Sequence, residues 1–126
     1  MTEAELWAAS EAGDEARVGE LIQAGADVHS KNPGGNNGLI LSSQEGHDKI
    51  VKMFLESGVG VNTRSFYERT PLMLAVKEGH YTTAKLLLDN KADPDLQRED
   101  GITARMDAAM QNHAESIYPG GVSRKS

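Results

Sequence analysis

The side chains best suited to acid-base or metal chemistry in this sequence are four histidines, because the chain contains no cysteine. They are His29, His47, His80 and His113. A zinc site needs several ligand atoms within about 2 Å of one ion, and nucleophilic catalysis needs a base beside its nucleophile. The chain lacks the H-E-x-x-H, G-x-S-x-G and Walker motifs that place such groups together. We therefore expect no catalytic residue, no metal site and no cofactor.

The spacing of the last three histidines indicates a structural role instead. His47, His80 and His113 follow one another at intervals of 33 residues, so they are one position of a repeat. Equivalent residues on neighbouring packed helices lie about 10 Å apart, which is too far for shared metal ligation. We expect these histidines to serve the fold.

The clearest copy of the repeat runs from Arg69 to Asp95. Thr70 and Pro71 are typical of a helix start, since threonine caps the first turn and proline suits the first helical position. Gly79 is suited to end that helix. A second helix is predicted from His80 to Asp89, followed by turn residues. Each unit is therefore a helix, a tight turn, a second helix and an extended loop.

The same landmarks recur at 33-residue intervals without an insertion, so that Leu87-Leu88 aligns with Phe54-Leu55 and Leu21-Ile22. A 33-residue period with a Thr-Pro-Leu start, a Gly-His turn and a leucine pair resembles the ankyrin repeat family. The resemblance implies an all-α solenoid of helix-turn-helix units joined by β-hairpin-like loops, in one domain over residues 1–118. Its four repeats would span 1–31, 32–64, 65–97 and 98–118, followed by a short disordered tail at 119–126.

The resemblance also implies a function, namely binding of a protein partner through the hairpin tips and the concave face of the inner helices. Phe66 and Tyr67 are the preferred contact pair, because adjacent aromatic residues at a tip have little core to join. The alternative for this pair is that one ring covers a neighbouring repeat. The register assigns ten residues to the binding surface: Asn36, Gln44, Glu45, Phe66, Tyr67, Arg69, Lys77, Glu78, Glu99 and Ile102.

Two other functions remain open from the sequence: an engineered, reconstructed or truncated ankyrin scaffold with no evolved partner and, more remotely, an enzyme. Asn37-Gly38 replaces the Thr-Pro helix start, and Gly38 costs about 1 kcal/mol relative to a good helix former. Lys91 stands where Gly25 and Gly58 end the earlier helix pairs, and a left-handed lysine costs about 1 kcal/mol. Idealised designs avoid such choices.

The fourth repeat departs furthest from the pattern. Arg105 aligns with the apolar Leu72, so either its side chain reaches solvent at the open end of the stack or Met106 fills the site. Pro119 would end the second helix after about one turn. That truncation would leave part of the side formed by Ala84, Leu87 and Leu88 under-covered. We expect a monomer that self-associates weakly through this end.

The net charge of −6 is concentrated near the N-terminus, since residues 1–31 contain seven acidic and two basic residues. No basic stripe is available for phosphate contacts, so nucleic acid is not an expected partner. The first residues lack the features of a signal peptide, and no apolar run is long enough to span a membrane. We expect a cytoplasmic protein, with the nucleus as a further intracellular location, and no membrane association.

Overall fold

The computed structural model describes residues 3–117; the predicted tail at 119–126 and the last residue of the predicted domain, Tyr118, lie outside them. The described residues form seven α-helices joined by turns and short loops. None of these helices is long and apolar enough to cross a membrane. The helices are α1 (Glu3–Ala12), α2 (Glu15–Gln23), α3 (Gly38–Glu45), α4 (Asp48–Glu56), α5 (Pro71–Lys77), α6 (Tyr81–Asp89) and α7 (Ala104–Ile117).

The helices lie in two rows. In the inner row, α1, α3, α5 and α7 each contact the next member, and in the outer row α2, α4 and α6 do the same. Helices α1, α3 and α5 also pack against the outer helix that follows each of them. Contacts between successive repeats are the pattern of a solenoid. The prediction of an all-α repeat fold is confirmed, and the described residues contain no strand beyond an isolated antiparallel bridge between Gln97 and Thr103.

Side-chain caps start four of the helices. Asp14, Asn37, Thr70 and Thr103 each accept a hydrogen bond from the backbone N–H three residues later. In α5 the Met73 sulfur also accepts from the Thr70 N–H at 3.3 Å, which completes a reciprocal capping pair with an unusual acceptor. The last three caps fix where the inner helices α3, α5 and α7 begin, and therefore where the preceding hairpin tips lie.

The hairpin tips share one hydrogen-bonding scheme. In each tip the N–H of the first residue donates to the carbonyl four residues later, joining Asn32 to Asn36, Ser65 to Arg69, and Arg98 to Ile102. The fourth residue of each tip has a positive φ, which glycine adopts readily at positions 35 and 101. Glu68 adopts the same conformation, with φ of 61°, in the central tip. The central tip is therefore the strained one of the three.

A polar ladder sets the spacing between the loops of successive repeats. Lys31 Nζ donates to the Arg64 carbonyl at 2.6 Å, and Arg64 Nη1 donates to the Gln97 carbonyl at 2.8 Å. Each pair is 33 residues apart, so the ladder joins equivalent positions. These bonds are exposed, and each contributes about 1 kcal/mol or less. Together they hold the neighbouring tips side by side.

The apolar core lies between the two rows. Its largest fully buried side chains include Leu6, Val18, Leu39, Ile50, Val51, Phe54, Leu72 and Leu87. Gly38 has a particular place in this core, because a Cβ added there would lie 2.1 Å from Cζ of the Phe54 ring. The glycine that breaks the helix-start pattern thus makes room for the largest side chain of the core.

The fourth repeat corrects the sequence prediction. A single helix, α7, continues to Ile117, whereas the sequence predicted a second helix of about one turn before Pro119; that prediction is wrong. Gly13, Gly46 and Gly79 follow the three earlier inner helices with φ between 76° and 83°. Asn112 occupies the equivalent position and lacks the conformational freedom that makes glycine the common end of a helix. The inner helix therefore continues.

The two alternatives for Arg105 are also decided. Its side chain is exposed, and Nε donates to Asp95 Oδ1 at 2.7 Å. Met106 is 45% exposed, so it does not fill the leucine position. The Arg105 side chain reaches solvent at this end of the stack, because α7 is the last inner helix of the described residues.

Only part of the outer side of α6 is uncovered. Leu88 is 45% exposed, as predicted. Ala84 and Leu87 are buried, so the under-covered part of this side is at Leu88. Both belong to the core between the two rows, which is complete without a fourth outer helix.

Lys91 offers a direct test of backbone strain. Its φ is 76°, where the equivalent Gly25 and Gly58 have φ of 94°. We expect Lys91→Gly to raise the free energy of unfolding by about 1 kcal/mol, because lysine disfavours this conformation. Gly58→Lys should lower it by a similar amount, since a Cβ at Gly58 meets no atom within 4 Å and adds strain alone. Urea unfolding measures both; an unchanged stability of Lys91→Gly would contradict the assignment.

Candidate protein-binding surface

The histidines lie between successive repeats. His47 Nε2 is 3.0 Å from the Glu11 carbonyl oxygen, and its ring lies against Gly13 of the preceding repeat. The His80 ring lies against Gly46 in the same way. No cluster of three or more histidine, aspartate or glutamate residues in the described part of the chain could hold a metal ion. His47 and His80 thus act as spacers between repeats, and the side chain of His113 is outside the described residues.

The aromatic pair lies at the central hairpin tip. Phe66 is 66% exposed and Tyr67 is 59% exposed. A Cβ added at Gly35 would be 2.5 Å from Phe66 Cδ1, so the Phe66 ring lies directly on the backbone of the preceding tip. Phe66 therefore covers a neighbouring repeat with one part of its ring and presents the rest to solvent. Tyr67 is exposed beside it.

A groove of about 400 Å³ opens between the tips and the inner helices. We call it the tip groove. Three successive repeats contribute to it, and it contains five of the ten residues that the sequence assigned to the surface. The lining residues are Asn36, Gln44, Ser65, Tyr67, Arg69, Leu74 and Glu99.

The other predicted residues lie around this groove rather than in it. Glu45, Lys77 and Glu78 are exposed at the ends of α3 and α5. Ile102 is half-buried, and its carbonyl accepts the bond that closes the last tip. Phe66 lies on the central tip between the lining residues Ser65 and Tyr67, with its ring against Gly35.

Two lining residues, Ser65 and Leu74, were missed by the sequence analysis. Leu74 is an apolar residue of α5 that is only 6% exposed, with its edge at the groove. Ser65 is the first residue of the central tip, and its hydroxyl accepts from the Tyr67 and Arg69 N–H groups at 3.3 Å. Ser65 occupies the same repeat position as Asn32 and Arg98, the polar first residues of the other two tips. That shared position could have identified it from the sequence.

Arg69 gives the groove its positive group. Its Nε is buried and makes no hydrogen bond within the described residues. A buried polar group without a partner costs about 1–3 kcal/mol. The Arg69 guanidinium thus has unused hydrogen-bonding capacity at the wall of the groove.

Ion pairs hold the last tip in place at the other side of the groove. Arg98 donates to Asp100 Oδ1 at 2.8 Å and to Asp107 Oδ2 at 3.1 Å, which ties the tip to α7. The hydrogen bond from Arg98 lowers the pKa of the Asp100 carboxyl, and the Ile102 N–H lowers it further. Glu99, which lines the groove, lies between these two anchored residues.

Comparison with known proteins agrees with this architecture. Residues 6–98 match the family profile of ankyrin repeats, in three copies. Among curated proteins, no sequence matches the chain significantly. The matched segment covers 93 of the 126 residues and includes α2 to α6 in full. The chain therefore belongs to the ankyrin repeat family.

Proposed function

We propose that this chain is a non-catalytic module that binds a protein partner in the tip groove and along the adjoining inner helices. Ankyrin repeats are generally protein-protein interaction modules without catalytic activity. The observation that carries the proposal is the composition of the groove, in which an exposed tyrosine and an arginine from one tip are flanked by polar side chains of the two neighbouring repeats.

The aromatic residues provide most of the expected binding energy. Tyr67 presents both an apolar ring and a hydroxyl, and such side chains are enriched among the residues that dominate protein interfaces. Phe66 is fixed on one side by the backbone of Gly35, so it loses little freedom when a partner covers its other side. The pair is therefore prepared for binding before the partner arrives.

Arg69 provides a polar anchor beside these rings. Its guanidinium is suited to a carboxylate or carbonyl oxygen of the partner, because the planar group donates in a fixed geometry. Asn36 and Gln44 add amide groups on the same lining. The groove contains one carboxylate, Glu99, and no histidine among its lining residues, a composition suited to recognition rather than acid-base catalysis.

The proposal is tested by replacing Phe66 and Tyr67 with alanine. We expect the variant to bind the partner about 30-fold more weakly or worse, since removing two central aromatic residues costs at least about 2 kcal/mol. The melting temperature should change little, because both rings are mostly exposed. Affinity capture from a lysate of cells that express the protein, followed by titration with the captured partner, measures the first effect, and thermal unfolding measures the second.

Tyr81→Ala is the matched control, because Tyr81 is 57% exposed on α6 and is not part of the tip groove. It should retain the partner at full strength. Equal binding by the wild type and the Phe66/Tyr67 variant would contradict the proposal, and a large drop in melting temperature would assign the pair to packing. Failure of the wild type to retain any protein in stoichiometric amount would favour the scaffold without an evolved partner.

A further inference from the structure

Arg69 differs from the other arginines of the described residues in having no acidic partner among them. The other four each form an ion pair at 3.4 Å or less: Arg17, Arg64, Arg98 and Arg105. Arg69 is half-buried, and its Nε is fully buried without a hydrogen-bond partner. A charged group in such a position is stabilised when an acceptor from outside the chain reaches it. The tip groove therefore contains an unpaired positive charge.

Two further side chains of the tip groove have unused hydrogen-bonding groups. Asn36 and Gln44 line the groove from the repeat before Arg69, and their amide groups form no hydrogen bond with the described residues. Each amide offers two N–H donors and one acceptor oxygen. Ser65 differs, because its hydroxyl accepts from two backbone N–H groups of its own tip. The groove thus combines a fixed tip with free donors.

Glu99 brings a negative charge to the same groove from the repeat that follows. It is exposed and has no ion-pair partner among the described side chains, since the neighbouring Arg98 pairs with Asp100 and Asp107. Arg69 and Glu99 therefore line one groove without pairing with each other. Glu99 would repel a dianionic phosphate more strongly than a singly charged carboxylate. The lining favours an occupant with one carboxylate and one cationic group.

The lining comes from three successive repeats, which indicates the length of the occupant. Asn36 belongs to the first of these repeats, Arg69 to the second and Glu99 to the third. Neighbouring helices pack about 10 Å apart, and an extended chain advances about 3.3 Å per residue. One repeat therefore corresponds to about three residues of an extended segment, and the whole groove corresponds to about six.

On the basis of the proposed function, we propose that the tip groove binds an extended segment of the partner that carries two charged residues. An acidic residue of the segment pairs with Arg69, and a basic residue about three positions away pairs with Glu99. The carboxylate accepts charge-assisted hydrogen bonds from the guanidinium, which are stronger than bonds between neutral groups. Asn36 and Gln44 bond to the backbone of the same segment. The charges of the segment and their spacing thus determine which partners the groove accepts.

The test uses a library of random peptides of about twelve residues, twice the length that spans the groove. The library is displayed on phage and selected on the full-length chain, and selected peptides are then titrated by fluorescence anisotropy. We expect them to share an acidic residue and a basic residue about three positions apart. Arg69→Gln should raise their Kd by about tenfold or more. The melting temperature should change little, because the Arg69 guanidinium bonds to no described residue.

Arg105→Gln is the matched control for Arg69→Gln. Arg105 is an exposed arginine that does not line the tip groove, so this variant should bind the selected peptides as the wild type does. A charge reversal separates a direct contact from an effect on the shape of the tip. Arg69→Glu should lose the selected peptides and recover binding when the acidic residue of the peptide is replaced by lysine. A role of Arg69 in packing alone would give no such recovery.

The outcomes distinguish this inference from the proposed function. Selected peptides that require Phe66 and Tyr67 but lack the charged pair, or bind equally well to Arg69→Gln, would overturn the inference and leave the proposed function intact. Selected peptides that bind Phe66→Ala/Tyr67→Ala and Arg69→Gln as tightly as the wild type would contradict both. Selection of no peptide would also overturn the inference, because a groove for a short extended segment must retain such segments from the library.

Discussion

Replacing Gly38 with alanine is expected to lower the free energy of unfolding by about 3 kcal/mol, although alanine is the better helix former. The new Cβ would lie 2.1 Å from Cζ, 2.5 Å from Cε2 and 2.7 Å from Cε1 of Phe54. That ring is fully buried between the two helical rows and has no space to retreat into. Overpacking of this kind costs about 1–3 kcal/mol or more. Helix propensity alone predicts a gain of about 1 kcal/mol, so the sign of the effect decides between the two explanations.

A double-mutant cycle with Phe54→Leu identifies the cause. Phe54→Leu alone should cost about 1–2 kcal/mol. In that background Gly38→Ala should cost much less than in the wild type, because leucine lacks the far edge of the ring. Gly60→Ala is the control, since a Cβ there meets no atom within 4 Å and its φ is not positive; it should change stability by less than about 0.5 kcal/mol. Chemical denaturation measures all four variants, and independent, additive costs would refute the steric explanation.

Gly38 also shows where reasoning from the sequence stopped. The 33-residue period predicted the helix pairs through α6, and Asn37 was correctly assigned as the cap of α3. The sequence pattern could assess only the helix propensity of Gly38. Its contact with Phe54 is between two helices, α3 and α4, and cannot be seen from local sequence. Local rules describe the cost of a glycine, whereas tertiary packing determines whether anything else fits.

The error at α7 has a different physical origin. A separate second helix was predicted in the fourth repeat, where Asn112 stands at the repeat position of Gly13, Gly46 and Gly79. Asparagine adopts the left-handed conformation more easily than most residues, yet glycine adopts it without steric cost. When the turn is not required by a following outer helix that packs well, continuing the helix is favoured. The same position in the repeat therefore does not ensure the same backbone conformation when the glycine is replaced.

The candidate surface was predicted in outline. Register identified which residues share a row, and Asn36, Gln44, Tyr67, Arg69 and Glu99 do line one groove. Register does not specify how deep a side chain lies, which is why Leu74 and Ser65 were not among the ten predicted residues. The role of all these residues in binding remains a prediction for the Phe66/Tyr67 experiment.

The second large effect is expected at Gly46, where alanine should lower the free energy of unfolding by about 2–3 kcal/mol. Two costs add there. The residue has φ of 76°, which costs an L-residue about 1 kcal/mol, and the new Cβ would lie 2.8 Å from Nδ1 and 2.9 Å from Cγ of the His80 ring. The histidine of one repeat thus rests on the glycine of the repeat before it, as His47 does on Gly13.

The chain provides a matched control for this contact. Gly58 has φ of 94°, and a Cβ there meets no atom of the described residues within 4 Å, so Gly58→Ala should show the backbone cost of about 1 kcal/mol alone. The double variant Gly46→Ala/His80→Ala lacks the ring. Its free energy of unfolding should be only about 1 kcal/mol below that of His80→Ala alone, because the backbone cost at position 46 is all that is left. Equal destabilisation by Gly46→Ala and Gly58→Ala would show that the His80 ring moves aside at no cost. We expect the larger loss of stability from Gly46→Ala. That result would show that each Gly-His pair is a steric contact between repeats, in which the histidine ring occupies the space where any other residue would place its Cβ.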